Sequence, residues 1–509
     1  MNTMQFDADV AIIGYGPSGV AAANILGKHG IKTIIFEKDK DLYSRARAVT
    51  VSDWTMRCFQ AIGLDDAVAK DMDETAGLRW IKYDGTEILR MGFPPSILGK
   101  HPTSYAIYQP KMEETLRKGV ERYKDHCQIY FGSTVNTVSQ NAECVELNII
   151  DENQEQRIVR VKYALGCDGG SSKTRESLNI QLVGDTVDTK WVVIDARVKR
   201  WWKNRNLLTF WSDQKRPVVD IALSLSNHRW EIPLESHETE QDFQTNEQIW
   251  PLLNSMGVTD KEVELYQHAF YRHHVRRAEK WRDGRVFLLG DAAHMMPPWA
   301  GAGMQSGIRD AFNLCWKLVE VLNERMPESV LDSYEIERAP NVEFYTQVAV
   351  QLGRIIKQQV TEEEMAVIGP QLSAEPPVLK LPEIEAGWVQ NVSSSAVGKI
   401  LPQPKVTDSR GKLGYLDDIT DDSIFVLGNR IDPKLVMSAE QISQWDQLNV
   451  KYFTLLSAED DGKGYDDIID INNTLIDWLN QHKAKTVVVR PDKFIVADDI
   501  NLNRPSFTF

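Results

Sequence analysis

Three glycine-rich segments carry residue types suited to holding a nucleotide. The first reads Gly14-Tyr15-Gly16-Pro17-Ser18-Gly19. In a G-x-G-x-x-G turn the first glycine permits a tight bend, the second lets backbone approach a pyrophosphate, and the third lets the next helix pack on the preceding strand. The helix start then offers N–H groups to phosphate oxygens. Glu37, followed by Lys38, stands where an acid accepts from ribose hydroxyls. The second segment runs from Gly284 through an apolar stretch into Gly290-Asp291-Ala292-Ala293-His294, where an Asp at a strand end suits a second ribose or a ribityl hydroxyl. The third is Asp168-Gly169-Gly170-Ser171-Ser172, whose serines suit a helix cap equally well. Two nucleotide-contacting segments so far apart in the chain point to one long cofactor crossing the fold, which FAD explains better than NAD.

The elements that must position these residues follow from pattern. Ala8 to Ile13 is a short apolar run, as in a buried parallel strand; a helix with small residues follows the glycines, and Lys32 to Phe36 reads as the next strand. This is a βαβ unit. Strand-like runs between residues 128 and 165, and again from about 190 to 234, suggest an antiparallel sheet apart from that unit. Residues 301–325 show apolar positions at steps of 3 and 4, and a second helix is expected from Ser329 to about Gln358. Residues 359–405 read as a linker with short helices, and the last hundred residues as a compact α/β unit.

Composition narrows the function classes. The chain has 509 residues, 42% hydrophobic and 26% charged, with 58 Lys plus Arg against 73 Asp plus Glu for a net charge of −15. That is a globular composition without the basic excess of a nucleic-acid binder. Five cysteines, none in a C-x-x-C pair and none beyond Cys315, exclude a disulfide scaffold and a dithiol role for the C-terminal unit. They fit a cytoplasmic setting. No basic and apolar leader is visible, and no apolar run approaches the roughly 20 residues of a membrane helix. No metal-ligand pattern is seen.

In this order the three segments resemble those of the group A flavoprotein aromatic monooxygenases, the p-hydroxybenzoate hydroxylase-like fold. Gly290-Asp291-Ala292-Ala293-His294, Pro297-Pro298-Trp299, Gly301-Ala302-Gly303-Met304 and Arg309-Asp310-Ala311-Phe312-Asn313-Leu314 are similar to the 3-(3-hydroxyphenyl)propionate hydroxylase subfamily, as are Arg47-Ala48-Val49, Gln109-Pro110 and Val489-Arg490-Pro491-Asp492. The pattern departs from the family at Ala302, where Gln is frequent, and at Gln305, where Asn is frequent.

The resemblance implies an α/β fold: a Rossmann-like FAD-binding domain of the GR2 type with an inserted antiparallel β-sheet substrate domain, and a thioredoxin-like C-terminal α/β domain. The boundaries expected are 1–184 and 281–400 for the FAD-binding parts and the helical region, 185–280 for the substrate sheet and 401–509 for the last domain. It implies FAD held by Gly14, Gly16, Pro17, Ser18 and Gly19, with Glu37 and Lys38 at the ribose, Arg47 and Ala48 on a loop beside it, Gln109 touching it from a helix start, and Asp168, Gly169, Gly290 and Asp291 along its length. Pro298 would present its carbonyl near the flavin, and Gly301, Ala302, Gly303 and Met304 would turn N–H groups toward the isoalloxazine. The activity implied is NAD(P)H- and O2-consuming hydroxylation of an aromatic ring through a flavin C4a-hydroperoxide, on a phenolic acid such as a 3-hydroxyphenylpropionate, in a monomer or homodimer. Alternatives are the same chemistry on a neutral aromatic such as indole or a polyketide phenol, and a flavoprotein reductase or non-catalytic flavin sensor.

A phenolic substrate also benefits from a base near its hydroxyl. His273 is the candidate; His274 beside it faces the other way on a strand, so at most one reaches a pocket. His294 suits packing and hydrogen bonding rather than catalysis. Tyr105, Trp191, Trp211 and Trp230 are candidates for an aromatic pocket wall. A carboxylate-bearing substrate calls for an Arg, a Lys or backbone donors in that pocket, and a wholly apolar pocket favours a neutral aromatic.

Overall fold

The computed structural model describes residues 5–42, 47–361, 363–364, 381–461, 464 and 466–505. Ala8–Ile13 lies between two parallel neighbours, Thr33–Glu37 and Gln156–Gly166. Val286–Leu288 and Cys127–Phe131 extend the parallel array. Strands that turn away from water on both faces read as continuous apolar runs, which is why ADVAII and TIIFE carry no alternation. Helix Pro17–Lys28 is buried without a break from Gly19 to Gly27, because the sheet covers one side and helix Gly303–Leu322 the other. That second helix occupies most of the range expected from its apolar steps.

A second sheet has eight strands, in the order His294–Met295, Val263–Ala278, Leu182–Val198, Asn227–Pro233, Val218–Leu223, Leu207–Trp211, Gly77–Ile81 and Glu87–Met91. Its side chains alternate cleanly between faces. One face, with Val192, Ile194, Trp230 and Ile232, packs on helix Asn246–Asn254. The other presents Trp80, Phe210, Val219 and Ile221 to the rest of the molecule. The range 185–280 does not contain this sheet and needs correction. Its first long strand starts at Leu182, and the hairpin Gly77–Met91 joins through parallel pairing of Gly77–Ile81 with Leu207–Trp211. Such pairing is non-local, and no periodicity within either segment encodes it.

The C-terminal part forms a mixed seven-stranded sheet in the order Leu413–Tyr415, Lys405–Asp408, Asp467–Asp470, Lys451–Ser457, Phe425–Asn429, Thr486–Val489 and Ile495–Asp498. Buried ion pairs dock it. Arg57 forks onto Asp417 at 2.7 and 2.9 Å, and Arg490 onto Glu337 at 2.9 and 2.7 Å, with Lys317 on the same carboxylate at 2.7 Å. The second long helix spans Ser333–Ile356 behind a 3₁₀ turn at Glu328–Asp332. Of the expected linker, residue 362 and residues 365–380 lie outside the described residues, Glu363 and Glu364 are helical, and 381–404 hold no helix. All five cysteines are free. Among the described residues no helix is long and apolar enough to cross a membrane.

Candidate active site

A cavity of about 1000 Å³ runs between the parallel sheet and the second sheet. Its first end is the glycine turn. Gly14 has φ +93°, and a Cβ there would lie 2.5 Å from the Cys167 carbonyl oxygen. A Cβ on Gly19 would lie 2.1 Å from the Gly14 carbonyl oxygen, so this glycine sets the contact between turn and helix. Gly16 meets nothing within 4 Å, which leaves its backbone open to a ligand. Pro17 and Ser18 line the cavity beside it. Glu37 lines it too, held at the strand end by Tyr15 N at 2.7 Å and Asp39 N at 3.0 Å. Lys38, Arg117 and Lys173 add positive charge within an acidic protein. These features suit a pyrophosphate and a ribose, and so fit the adenosine half of FAD.

The middle of the cavity is built from loops tied to one another. Arg47 and Ala48 line it, and the Gln109 side-chain oxygen accepts from both their amides, at 2.7 and 2.6 Å. Gln109 was expected to touch the cofactor; it lines the cavity, but its carboxamide is engaged as the clamp of this loop. Asp168 and Gly169 line the wall as well. The Asp168 carboxylate takes hydrogen bonds from Ser172 Oγ at 2.5 Å and Thr174 N at 3.0 Å, and Ser172 caps the short helix Lys173–Ser177. The capping alternative for Ser172 therefore holds. Gly290 and Asp291 line the same stretch, with Asp291 4.0 Å from Arg47 Nη1.

The far end is the loop from Pro298 to Met304, all of whose residues up to Met304 line the cavity. The Pro298 carbonyl, expected near the flavin, accepts from Gly301 N at 2.7 Å and so closes the turn. Gly301 has φ +58°, and Ala302 leads into helix Gly303–Leu322, whose first-turn N–H groups and positive dipole end point at the cavity. Gln305, a departure from the family pattern, fastens this loop. It accepts from Ser52 N at 2.9 Å and Thr55 Oγ1 at 2.7 Å, and donates to the Gly301 carbonyl at 2.7 Å.

His273 is not among the cavity residues. It stacks on Trp191 at 4.9 Å and is covered edge-on by Trp299 at 4.9 Å. Burial, with Lys357 and His274 adding to it, pushes its pKa down to about 3, so it stays neutral. The reason is steric: the indole of Trp299 stands between this ring and the space. His274 points the other way and meets Thr186 Oγ1 at 2.9 Å, so neither reaches the cavity. Nor do Tyr105, Trp191, Trp211 and Trp230; the aromatic wall consists of Trp80, Phe210, Trp299 and Tyr345 among others. His294 is buried on Asp310 at 2.7 Å, in the structural role expected. Asp65, Asp66 and His101 cluster elsewhere, but Lys100 Nζ lies 2.8 and 2.9 Å from the two carboxylates and supplies their counter-charge.

Sequence reasoning missed Glu231, which lines the cavity from the second sheet. The sequence shows only Arg229 and Glu231 alternating with Trp230 and Ile232; that the strand is buried at every position shows only in the fold.

The chain matches a family model described as "FAD binding domain" over residues 7–349 and one described as "HcaD C-terminal domain" over residues 398–504. It is 32% identical to the 3-(3-hydroxy-phenyl)propionate/3-hydroxycinnamic acid hydroxylase of Burkholderia cenocepacia, over 96% of this chain and 93% of that one. It is 31% identical to the Escherichia coli protein of the same name, over 98% and 93%. Among solved structures it is similar to the flavin-dependent monooxygenase PieE in complex with FAD and substrate, at TM-score 0.82 and 20% identity over 97% of this chain and 96% of that one. It also resembles aklavinone-11 hydroxylase with FAD and aklavinone, at TM-score 0.79 and 21% identity over 99% and 97%.

Proposed function

The chain belongs to the FAD-binding family of aromatic hydroxylases, and from that premise we propose that it is an NAD(P)H-dependent monooxygenase that hydroxylates a phenolic ring. The overall reaction is ArH + O2 + NAD(P)H + H⁺ giving ArOH + NAD(P)⁺ + H2O. The observation that carries this reading is one continuous cavity that joins a dinucleotide-type glycine turn to an aromatic-walled sheet face. Bound FAD would supply the hydride acceptance and the oxygen activation. The protein's own residues then bind, orient and exclude water. Gly14, Gly16, Pro17, Ser18 and Gly19 would cradle the pyrophosphate, Glu37 and Lys38 the ribose end. Arg47, Ala48, Gln109, Asp168, Gly169, Gly290 and Asp291 would form the middle of the cradle. Pro298, Gly301, Ala302, Gly303 and Met304 would flank the ring system, where the helix start favours negative charge. Trp80, Phe210 and Trp299 would keep water from the reacting ring.

In this reading residues 401–509 form a structural unit, small aromatics and O2 are the partners, and the free cysteines support a cytoplasmic setting. The relatives' names support a hydroxyphenylpropionate-type substrate. A neutral phenol is the second reading, because the sheet side of the cavity offers an acid and no Arg or Lys among the described lining residues. The test is NAD(P)H oxidation by FAD-loaded protein across phenolic acids and neutral phenols, with products identified. Stimulated oxidation with a hydroxylated product supports the proposal; oxidation that no aromatic alters and that yields no product refutes it.

A further inference from the structure

The sheet face of the cavity is a row of side chains on neighbouring strands. Trp80 pairs with Phe210, Phe210 with Val219, and Val219 with Glu231. Trp80 and Phe210 stack, with centroids 4.9 Å apart. Neighbouring strands lie about 4.8 Å apart, so a single aromatic ring laid on Phe210 and Val219 has its edge at Glu231. Leu78, Leu208 and Ile221 complete an apolar surround.

Glu231 is an ill-matched residue for such a wall unless something pairs with it. It is 4% exposed. Its Oε2 accepts from the Tyr271 hydroxyl at 2.7 Å. The nearest cation to Oε1 is Arg229 Nη1 at 3.9 Å, beyond hydrogen-bond distance. Arg229 itself forks onto Asp195 at 2.8 and 3.0 Å and donates to the Arg47 carbonyl at 3.2 Å. Among the described residues no donor lies within hydrogen-bond distance of Oε1, and Glu231 lines the cavity, where a ligand's donor can meet it.

Resting on the hydroxylase reading above, we propose that Glu231 accepts the hydrogen bond of a hydroxyl or N–H donor on the substrate ring and thereby selects donor-bearing aromatics. Tyr271 orients the carboxyl from behind. Arg229 moderates its charge without closing it off. Burial raises the Glu231 pKa above the usual range, against the pull of Arg229 and Tyr271, which brings its proton affinity nearer to that of a phenol. Accepting the hydrogen bond of a phenol hydroxyl gives its oxygen phenolate character and enriches the ring in electrons, the property that this oxidation requires of its substrate.

The test is binding to FAD-loaded full-length protein, followed by the change in flavin absorbance. The probes are 3-(3-hydroxyphenyl)propionate against its methyl ether, and phenol against anisole. Wild type is expected to prefer the hydroxyl member of a pair by about tenfold or more. Glu231→Gln should bring that preference within about threefold while FAD content stays at the wild-type level. If Glu231→Gln does not hold FAD, Glu231→Asp takes its place, with a partial loss of preference expected. Preference unchanged in the variant, or absent from wild type in both pairs, overturns the proposal. Failure of wild type to hydroxylate any phenol would instead overturn the functional reading, so the two failures are distinguishable.

Discussion

At the residue scale, single atoms decide whether the cavity can hold a dinucleotide. A methyl group on Gly19 would meet the Gly14 carbonyl at 2.1 Å, a backbone atom that cannot swing away. Gly19→Ala is therefore expected to lower FAD occupancy at least about tenfold, read as the ratio of flavin to protein absorbance. Occupancy equal to wild type would show that the turn does not grip the cofactor. Gly14 and Gly19 were legible in the sequence because their signal is local: a strand, a turn and a helix contiguous in the chain. Glu231 was not, since its meaning comes from Val219 and Phe210 on two other strands. His273 misled for the same reason, as nothing in Tyr271-Arg272-His273-His274 encodes Trp299 standing in front of it.

At the element scale, the loop from Pro298 to Met304 is held by a side chain from the helix that follows it. Gln305 joins Gly301 to Ser52 and Thr55. Removing it leaves the Ser52 amide without this acceptor and the loop without its anchor. Gln305→Ala should still bind FAD, but hydroxylated product should form on the order of 10²-fold more slowly for a displacement of about 1 Å, with less product per NAD(P)H consumed. The check is simultaneous measurement of NAD(P)H consumed and hydroxylated product. The long helices were readable from their steps of 3 and 4, with ends displaced by a few residues, as where the 3₁₀ turn Glu328–Asp332 takes the place of the expected first turn of helix Ser333–Ile356. The hairpin Gly77–Met91 was not readable as part of the substrate sheet, because its partner strand Leu207–Trp211 lies far along the chain.

At the scale of the whole molecule, buried carboxylates fasten the helical region to the C-terminal unit and to the second sheet. Burial opposes ionisation at Glu337, Asp310 and Asp417, yet their partners win: Arg490 and Lys317 hold Glu337 low, His294 and Arg338 hold Asp310 low, and Arg57 and Lys493 hold Asp417 low. A carboxyl whose folded pKa lies below its unfolded value of about 4 stabilises the fold above that pH, and the contribution is lost as pH falls through the folded value. The melting temperature should therefore drop on acidification below about pH 5. Glu337→Gln should lower stability by about 3–5 kcal/mol at neutral pH, because Arg490 and Lys317 lose their counter-charge. It should also flatten the acid dependence; an unchanged melting profile would show that this ion cluster does not fasten the unit. The C-terminal sheet was visible in the sequence as a separate pattern, but the runs between 128 and 165, expected with the antiparallel sheet, join the parallel one instead, because Cys127–Phe131 and Gln156–Gly166 pair with Thr33–Glu37 and Ala8–Ile13. Docking pairs such as Arg57–Asp417 and Arg490–Glu337 join residues 360 and 153 positions apart.

In the proposed reaction the cavity directs one oxygen atom from O2 into a phenolic ring. The direct measurement is turnover of FAD-loaded protein with NAD(P)H and 3-(3-hydroxyphenyl)propionate under ¹⁸O2, with neutral phenols in parallel and products read by mass spectrometry. The expected result is faster NAD(P)H oxidation with an aromatic present and a ring product carrying one ¹⁸O atom. Protein that binds FAD and is reduced by NAD(P)H, yet returns every aromatic unlabelled, would contradict it.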